Sequence, residues 1–170
     1  MEIDLHWEVD PVLDLPDLNL LSETVQNLNK LTEKFDFLLK QKPAGVCCLN
    51  IIITDDLEIK SINKQYRNKN AATDVLTFPF DQSSEKNTHE EFPNYAEIYI
   101  SQDTAIRQSE KHNLTLLNEF IILIVHGLLH AFHYDHETSE KEKIKMRSYE
   151  KDVLTYLGVN SVSPLTTPGN

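Results

Sequence analysis

The sequence predicts an α+β domain in which a small mixed β-sheet packs against helices. Segments with the two-residue alternation of strands are interspersed with segments of helical periodicity, in the order β-α-β-α-β-β-α-α-α. A length of 170 residues suits one hydrophobic core rather than two. We expect one domain over 1–158 and a disordered tail over 159–170, where two prolines accompany many Ser, Thr and Asn residues.

The first part of the chain predicts a strand, a helix and a second strand. Residues 3–9 alternate apolar and polar side chains, as a half-buried strand does. Pro16 interrupts that pattern, and we expect Ser22 to cap a helix that reaches about Lys40. Residues 46–53 (VCCLNIII) are typical of a buried strand.

The middle of the chain begins with a capping box, in which Asp55 precedes Glu58 by three positions. The apolar stripe of the helix that follows consists of Ile59, Ile62 and Tyr66. Strands are predicted over 75–80 and 96–100, separated by a long polar loop over 81–94 that has no apolar period. A further helix should begin after Ser101 and end near His112.

The last part of the chain predicts two helices. Residues 114–132 are apolar on nearly all sides, which indicates a central buried helix. Ser139 and Glu142 form a second capping box, and the helix that they open should stop at Gly158.

Bulk properties favour a cytoplasmic protein that does not enter membranes. No run approaches the roughly 18 apolar residues needed to span a bilayer, and the acidic N-terminus does not resemble a signal peptide. Cys47 and Cys48 are the only cysteines, and neighbouring residues of a strand point to opposite faces. We therefore expect free thiols in the core rather than a disulfide or a metal site at these positions.

The net charge of −11 argues against general coating of nucleic acid, because an acidic surface repels phosphate at long range. One local segment has the opposite charge balance, because residues 60–69 (KSINKQYRNK) carry four positive charges and no acid. Composition alone favours the interpretation that this segment is a solvated helix face.

Four of the seven histidines lie within the eleven residues HGLLHAFHYDH. His126 and His130 are four positions apart, so a helix places them on one face at adjacent turns, where both can bind one metal ion. A metal also compensates for the cost of polar groups on the most apolar helix of the chain. This spacing predicts a metal site.

Two residues compete to be the third ligand. His133 on a continuing helix would lie about 10.5 Å along the axis from His126, which is too far for easy sharing of one ion. His136 would point away from a continuing helix, and it converges only if the chain breaks after about Phe132 and turns back. We favour His136 and keep His133 as the weaker alternative.

Three histidines with an open fourth position are typical of a catalytic zinc. Zinc peptidases of the HExxH type need a glutamate directly after the first histidine, and this chain has Gly127 there. That difference argues against peptide hydrolysis. A zinc peptidase, disfavoured by Gly127, stays as the alternative.

Two blocks of the sequence resemble the YbeY family of bacterial rRNA maturation factors, which are zinc-dependent endoribonucleases. Residues 126–136 are close to the family pattern H-G-x-L-H-x-x-G-Y-D-H, and residues 63–78 (NKQYRNKNAATDVLTF) are close to N-x-x-Y/F-R-x-x-x-x-x-T-D-V-L-S-F. The order of elements agrees over roughly 1–157. The first block is highly specific, and the second is specific mainly in combination with it.

The resemblance implies a zincin-like α+β fold and one zinc ion per chain on His126, His130 and His136. It also implies that Arg67 lies beside the metal and engages RNA, since a guanidinium can fork onto phosphate oxygens. The substrate would be single-stranded rRNA, with a role in 16S rRNA 3′-end maturation and ribosome quality control on the small ribosomal subunit. The rival within this resemblance is a non-catalytic ribosome-assembly factor that uses zinc only to hold its fold. The residues expected to complete a basic RNA-binding strip with Arg67 are Lys60, Lys64 and Lys69.

This chain departs from the family pattern at two places. His133 stands where the family has glycine before Tyr134, so a turn that needs positive φ would be strained there. Ala96 stands where the family usually has glycine, which affects the wall of the cleft. Asp135 is interpreted either as a partner of a ligand imidazole or as a turn residue.

Overall fold

The protein is described here by a computed structural model that covers residues 1–41, 47–81, 94–136 and 139–159. The strands in these residues are β1 (Glu2–Trp7), β2 (Cys47–Thr54), β3 (Val75–Phe78) and β4 (Asn94–Ser101). The helices are α1 (Leu15–Lys34), α2 (Asp36–Gln41), α3 (Asp56–Arg67), α4 (Gln102–His112), α5 (Leu116–Ala131) and α6 (Glu140–Tyr156). The predicted α+β class is confirmed, with the short helix α2 as the one addition to the predicted order.

The sheet is mixed, as predicted, and its strands lie in the order β1-β2-β4-β3. β2 pairs in parallel with both β1 and β4, whereas β3 pairs antiparallel with β4. The register of that last pair sets Val75 opposite Ile100 and Phe78 opposite Glu97. β3 is therefore an edge strand, with one side of its backbone directed away from the sheet.

The two faces of the sheet differ in what covers them. Trp7 makes an edge-to-face contact with Phe120 of α5, and Ile98 lies directly against Gly127 of the same helix. The alternation along each strand places the aliphatic side chains of β1 and β4 on this covered face, whereas β2 is buried on nearly its whole length on both faces. The opposite face carries partly exposed side chains, namely Asn50, Phe78, Tyr95, Glu97 and Tyr99.

Helix α1 begins earlier and ends earlier than predicted. Its N-cap is Asp14 and not Ser22. Oδ1 of Asp14 accepts a hydrogen bond from the Asp17 amide at 3.0 Å. Pro16 starts the helix rather than interrupting it, because a proline in the first turn has no amide hydrogen bond to lose. The helix stops at Phe35, whose backbone is extended, and α2 follows.

The other predicted helix starts are confirmed. The amide of Glu58 donates to Asp55, and the amide of Glu142 donates to Ser139, at 2.8 and 3.2 Å. Ser101 caps α4 in the same way by accepting from the Thr104 amide at 3.2 Å. These bonds satisfy amides that have no partner inside the helix.

The cysteines agree with the prediction, whereas Val159, the first residue of the predicted disordered tail, is ordered against the core. Both cysteines are buried and free. Val159 is buried against the core, and its amide donates to the Leu154 carbonyl at 2.9 Å. The predicted loop over 81–94 and the predicted tail over 159–170 lie mostly outside the described residues.

No single helix in the described part of the chain is long and apolar enough to cross a membrane. Helices α4 and α5 reach that length and apolar composition only when taken together, and the chain bends by 113° between them.

Helix α5 is the centre of the molecule, and Gly127 allows it to approach the sheet. All residues from Phe120 to Leu129 are buried. A Cβ atom at position 127 would lie 2.6 Å from Cγ2 of Ile98, closer than packed carbon atoms come. The absence of a side chain there lets α5 lie tight against β4.

We expect the substitution Gly127→Ala to lower the free energy of unfolding by about 1–2 kcal/mol. Overpacking costs about 1–3 kcal/mol, and the better helix propensity of alanine offsets about 1 kcal/mol of that. In an Ile98→Ala background the clash is gone, so the same substitution should stabilise the protein. Urea denaturation of the four proteins of this cycle measures the coupling. An equal change in the free energy of unfolding in both backgrounds would show that the contact with Ile98 does not cause the destabilisation.

Candidate metal centre

Three imidazoles converge at the C-terminal end of α5. One ring nitrogen each from His126, His130 and His136 lies within 4.8 Å of the other two. The Nε2 atoms of His126 and His130 are 3.1 Å apart, as expected for residues on adjacent turns. The ring of His136 lies 5.3 and 5.1 Å from the rings of His126 and His130. This group can bind a metal ion through three nitrogens.

His136 reaches the group because the chain reverses where α5 ends. The amide of Tyr134 donates to the Leu129 carbonyl at 3.0 Å, and the amide of His133 donates to the His130 carbonyl at 2.9 Å. This pair of bonds is the Schellman motif, which ends a helix through a residue in the left-handed conformation. Here that residue is His133, with φ of 63°. The predicted break after Phe132 is thus present.

His133 occupies the turn and not the histidine group. Its Nε2 lies 2.7 Å from the carbonyl oxygen of Phe80, which requires a proton on Nε2. The amide of Phe80 donates in turn to the Ala131 carbonyl at 3.2 Å. Because left-handed backbone costs a residue with a Cβ about 1–2 kcal/mol relative to glycine, the bond to Phe80 offsets part of that strain.

Glu150 is a member of the site that the sequence interpretation missed. Its Oε1 lies 2.5 Å from Nδ1 of His126, and both side chains are buried. A carboxylate on Nδ1 holds the proton there, so that Nε2 presents its lone pair to a metal. The available signal was an acidic residue on the apolar face of α6, four positions after Met146 and three before Val153.

The sequence leaves two interpretations of Asp135, a partner of a ligand imidazole or a turn residue. It is half-buried, and its charge opposes the lowering of the pKa of His130. The carboxylate that contacts a ring nitrogen of His126 belongs instead to Glu150, which comes from a separate helix.

Burial favours the neutral form of His130, the form that binds metals. Desolvation is the largest cause that lowers the pKa of His130 to about 3, followed by repulsion from His126 and His136. The positive charge of Arg67 acts in the same direction. Above about pH 3, His130 thus carries a lone pair for a metal ion in the folded protein.

Arg67 lies at the outer edge of β3, near the histidine group. Its Nη2 donates to the carbonyl oxygen of Thr77 at 3.4 Å, a long bond that leaves the guanidinium largely exposed. Arg67 ends α3, where Asn68 adopts the left-handed conformation with φ of 58°. Besides its bond to Thr77, the guanidinium interacts electrostatically with His130.

The segment between α3 and β3 is held by buried polar residues of the second sequence block. Nδ2 of Asn63 donates to the Ala71 carbonyl at 2.8 Å. Asp74 accepts from the Val75 amide at 2.8 Å and from Nε2 of Gln108 at 2.9 Å. These bonds fix the start of β3 and the end of α3, and so they position Arg67 relative to the edge strand.

The predicted basic strip is exposed to solvent. Lys60 and Lys64 lie on α3, about two turns and one turn before Arg67 respectively, and Lys69 follows the helix. The predicted apolar stripe is wrong at its last member, because Tyr66 is 62% exposed. The buried face of α3 is formed by Ile59 and Asn63 instead.

The donor set fits zinc. Three imidazole nitrogens and a carboxylate behind one of them are typical of catalytic zinc sites, in which a further coordination position stays open. Both cysteines lie on β2, and neither belongs to the histidine group.

The chain matches the family model described as Endoribonuclease YbeY over residues 18–158. A relative named Endoribonuclease YbeY from Aquifex aeolicus is 44% identical over 112 residues, which cover 64% of this chain and 69% of the relative. A relative of the same name from Nautilia profundicola is 36% identical over 137 residues, covering 79% and 86%.

The fold is also similar to a solved structure. The solution structure of TM1509 from Thermotoga maritima superposes with a TM-score of 0.51 at 26% sequence identity, covering 97% of this chain and 98% of that one. Together with the match of the family model over most of the chain, these relatives show that the chain belongs to the YbeY endoribonuclease family.

Proposed function

We propose that this protein is a zinc-dependent endoribonuclease that cleaves single-stranded rRNA, with His126, His130 and His136 as the metal ligands and Arg67 as the phosphate-binding residue. The observation that carries the proposal is the convergence of three imidazole nitrogens, with the charge of an exposed guanidinium acting on one of the three rings. Relatives in the same family are named endoribonucleases.

The histidines and Glu150 would prepare the metal site before substrate arrives. His126 is oriented by Glu150, His130 is kept neutral by burial, and His136 is held by the helix-ending turn. When bound there, zinc supplies Lewis-acid catalysis for hydrolysis of a phosphodiester bond.

Arg67 would bind and orient the scissile phosphate. Its guanidinium keeps its charge at any working pH and can donate two parallel hydrogen bonds to phosphate oxygens. A donor that faces the charge developing on phosphorus stabilises the transition state more than the ground state. The single long bond to Thr77 holds the side chain near the edge of β3 while leaving donors for substrate.

Lys60, Lys64 and Lys69 would extend the contact along the RNA backbone. All three are exposed, and the spacing of Lys60 and Lys64 places them on the same face of α3 as Arg67, on a chain with net charge of −11. Binding through these lysines should weaken steeply with salt, because each phosphate contact releases counterions from the RNA.

Hydrolysis of peptides is the alternative that the geometry disfavours. A glutamate at position 127 would place its Cβ against Ile98, so the general base of HExxH peptidases has no room. A peptide added to the edge of β3 needs free backbone groups, but the Thr77 carbonyl accepts from Arg67. The Phe80 carbonyl beyond the strand accepts from His133.

The biological role we propose is maturation of the 3′ end of 16S rRNA and quality control of ribosomes in the cytoplasm. The support is membership of the YbeY family and a site built for RNA rather than peptides. The partner would be the small ribosomal subunit. Sedimentation of the protein with purified small subunits, and its loss from them as salt is raised, tests this association.

We expect the metal-loaded protein to cleave single-stranded RNA and not peptides, and to lose cleavage when a chelator removes zinc. His130→Ala should abolish zinc binding and cleavage together. Arg67→Ala should retain zinc but cleave about 10²–10³-fold more slowly, as when an oxyanion donor is removed. Zinc content by atomic absorption and cleavage on gels are measured on the same samples.

Circular dichroism of the His130→Ala variant separates the catalytic role from a purely structural one. A folded variant without cleavage supports the enzyme, whereas an unfolded one supports the alternative of an assembly factor that needs zinc only for its fold. Cleavage that persists after zinc is lost would point to a contaminating ribonuclease and refute the proposal.

Glu150→Gln should weaken zinc binding about 10- to 100-fold, because a neutral amide no longer strengthens Nε2 of His126 as a ligand. Competition with a chromogenic chelator measures the affinity. Glu142→Gln is the matched control, since Glu142 lies on the same helix and forms an ion pair with Lys145, at 3.1 Å, on the surface. Equal zinc affinities of the Glu150→Gln variant and the unmodified protein would show that Glu150 does not support the metal ligands.

The metal-free protein should lose stability as pH falls below about 6.5. In the unfolded chain His130 takes up a proton near its ordinary pKa of about 6.5, but in the folded protein burial lowers that pKa to about 3. The unfolded state therefore binds more protons between these values, and the free energy of unfolding falls with pH. Between pH 6.5 and 5 the loss from this group should be about 1–2 kcal/mol.

Thermal denaturation at several pH values tests this dependence, with His130→Gln as the non-titrating control. The control should show a flatter profile than the unmodified protein. Identical profiles would mean that His130 titrates equally in the folded and unfolded states.

A further inference from the structure

Tyr66 is an exposed aromatic residue beside the proposed phosphate-binding arginine. It immediately precedes Arg67 at the end of α3, and 62% of its surface is exposed. Single exposed apolar side chains are common and carry no meaning by themselves. The surroundings of Tyr66 are what set it apart.

Tyr66 is the outer member of a row of three aromatic rings. Its ring centroid lies 5.0 Å from that of Phe78, with the planes at 73°, and Phe78 lies 6.0 Å from Tyr99 at 87°. Phe78 is half-buried on β3, so its edge-to-face contact restricts the ring of Tyr66. The exposed ring is thus held in place by its neighbour before anything binds to it.

Arg67 and Tyr66 contact consecutive residues of the edge strand. Arg67 bonds to the carbonyl of Thr77, and Tyr66 packs on the side chain of Phe78, which lies on the face of the sheet opposite α5. The charge of Arg67 also acts on His130. The guanidinium therefore lies within electrostatic range of His130, and the tyrosine ring lies at the same edge of the sheet.

The charges at the two ends of the row of aromatic rings differ, and they determine which chemical groups can bind at each end. Lys64 and Arg67 lie on the helix that carries Tyr66. Glu97 lies at the far end of the row, where its Oε2 accepts from the hydroxyl of Tyr99 at 3.3 Å. A phosphate is therefore favoured near Arg67 and disfavoured near Tyr99, whereas an uncharged planar group is compatible with the ring of Tyr66.

We propose that Tyr66 stacks an unpaired nucleobase of the RNA whose phosphate Arg67 binds, with Phe78 holding the ring in position. This inference rests on the proposed function and adds a substrate-binding residue to it. A base within a duplex is stacked on its neighbours and cannot cover the tyrosine ring. The contact thus contributes to selection of single strands over duplexes.

The chain offers a matched control in Tyr156. It is 47% exposed and also makes an edge-to-face contact with a phenylalanine, Phe35, at 6.0 Å and 88°. Nζ of Lys34 lies over its ring, 4.7 Å from the centroid. Tyr156 therefore resembles Tyr66 in exposure and packing, but it belongs to α6 and has a cation on its ring.

The test is binding of a fluorescein-labelled, 2′-O-methylated single-stranded 12-mer to the zinc-loaded protein, followed by anisotropy, with the oligomer checked for cleavage on gels. Tyr66→Ala should weaken binding about tenfold, within the range of about 5- to 150-fold for loss of one stacked base. Tyr66→Phe should bind as the unmodified protein does, and Tyr66→Leu should resemble Tyr66→Ala. Tyr156→Ala should have no effect.

Salt dependence separates stacking from charge. Tyr66→Ala should leave the slope of log Kd against log salt unchanged, whereas Lys64→Ala should reduce it by about 0.7, the value for one phosphate contact to a single strand. A duplex of the same sequence should bind the unmodified protein and the Tyr66→Ala variant equally. Melting temperatures show that each variant is folded.

Unchanged binding of the Tyr66→Ala variant, or full binding of the Tyr66→Leu variant, would overturn the stacking proposal while the nuclease proposal stands. Failure of the unmodified protein to bind or cleave any RNA would instead overturn the proposed function. The two failures are therefore distinguishable in one set of measurements.

Discussion

The reversal of the chain at the end of α5 is the constraint on which the site depends. A straight continuation of the helix would direct His136 away from His126 and His130. The turn through His133, in the left-handed conformation, brings it back. The same residue bonds to the Phe80 carbonyl, which ties the turn to the segment after β3. A strained backbone at a functional site persists when its surroundings hold it in this way.

The packing of α5 determines the electrostatics of that site. Gly127 lets the helix approach Ile98, so the histidines lie in an environment with little water. Desolvation then keeps His130 neutral, and a carboxylate from α6 fixes the proton on His126. Orientation and protonation are set by the fold before a metal binds, which lowers the cost of organising the ligands.

The edge strand β3 links the metal site to the expected substrate. Its outer backbone accepts a hydrogen bond from Arg67, and its Phe78 side chain packs against Tyr66. A cation and a restrained aromatic ring are therefore presented by consecutive residues of α3. Phosphate and base are consecutive features of a nucleotide, so this spacing matches RNA better than an extended peptide.

The sequence by itself determined the α+β class, most helix starts and the pair of histidines on one face of a buried helix, because these follow from periodicity and local caps. It also indicated that the chain must turn back for His136 to join them. Only the tertiary structure decided that Glu150 supports His126 and that Tyr66 faces solvent. Both outcomes depend on how separate helices pack, and the spacing of residues along one helix does not encode which element will lie against it.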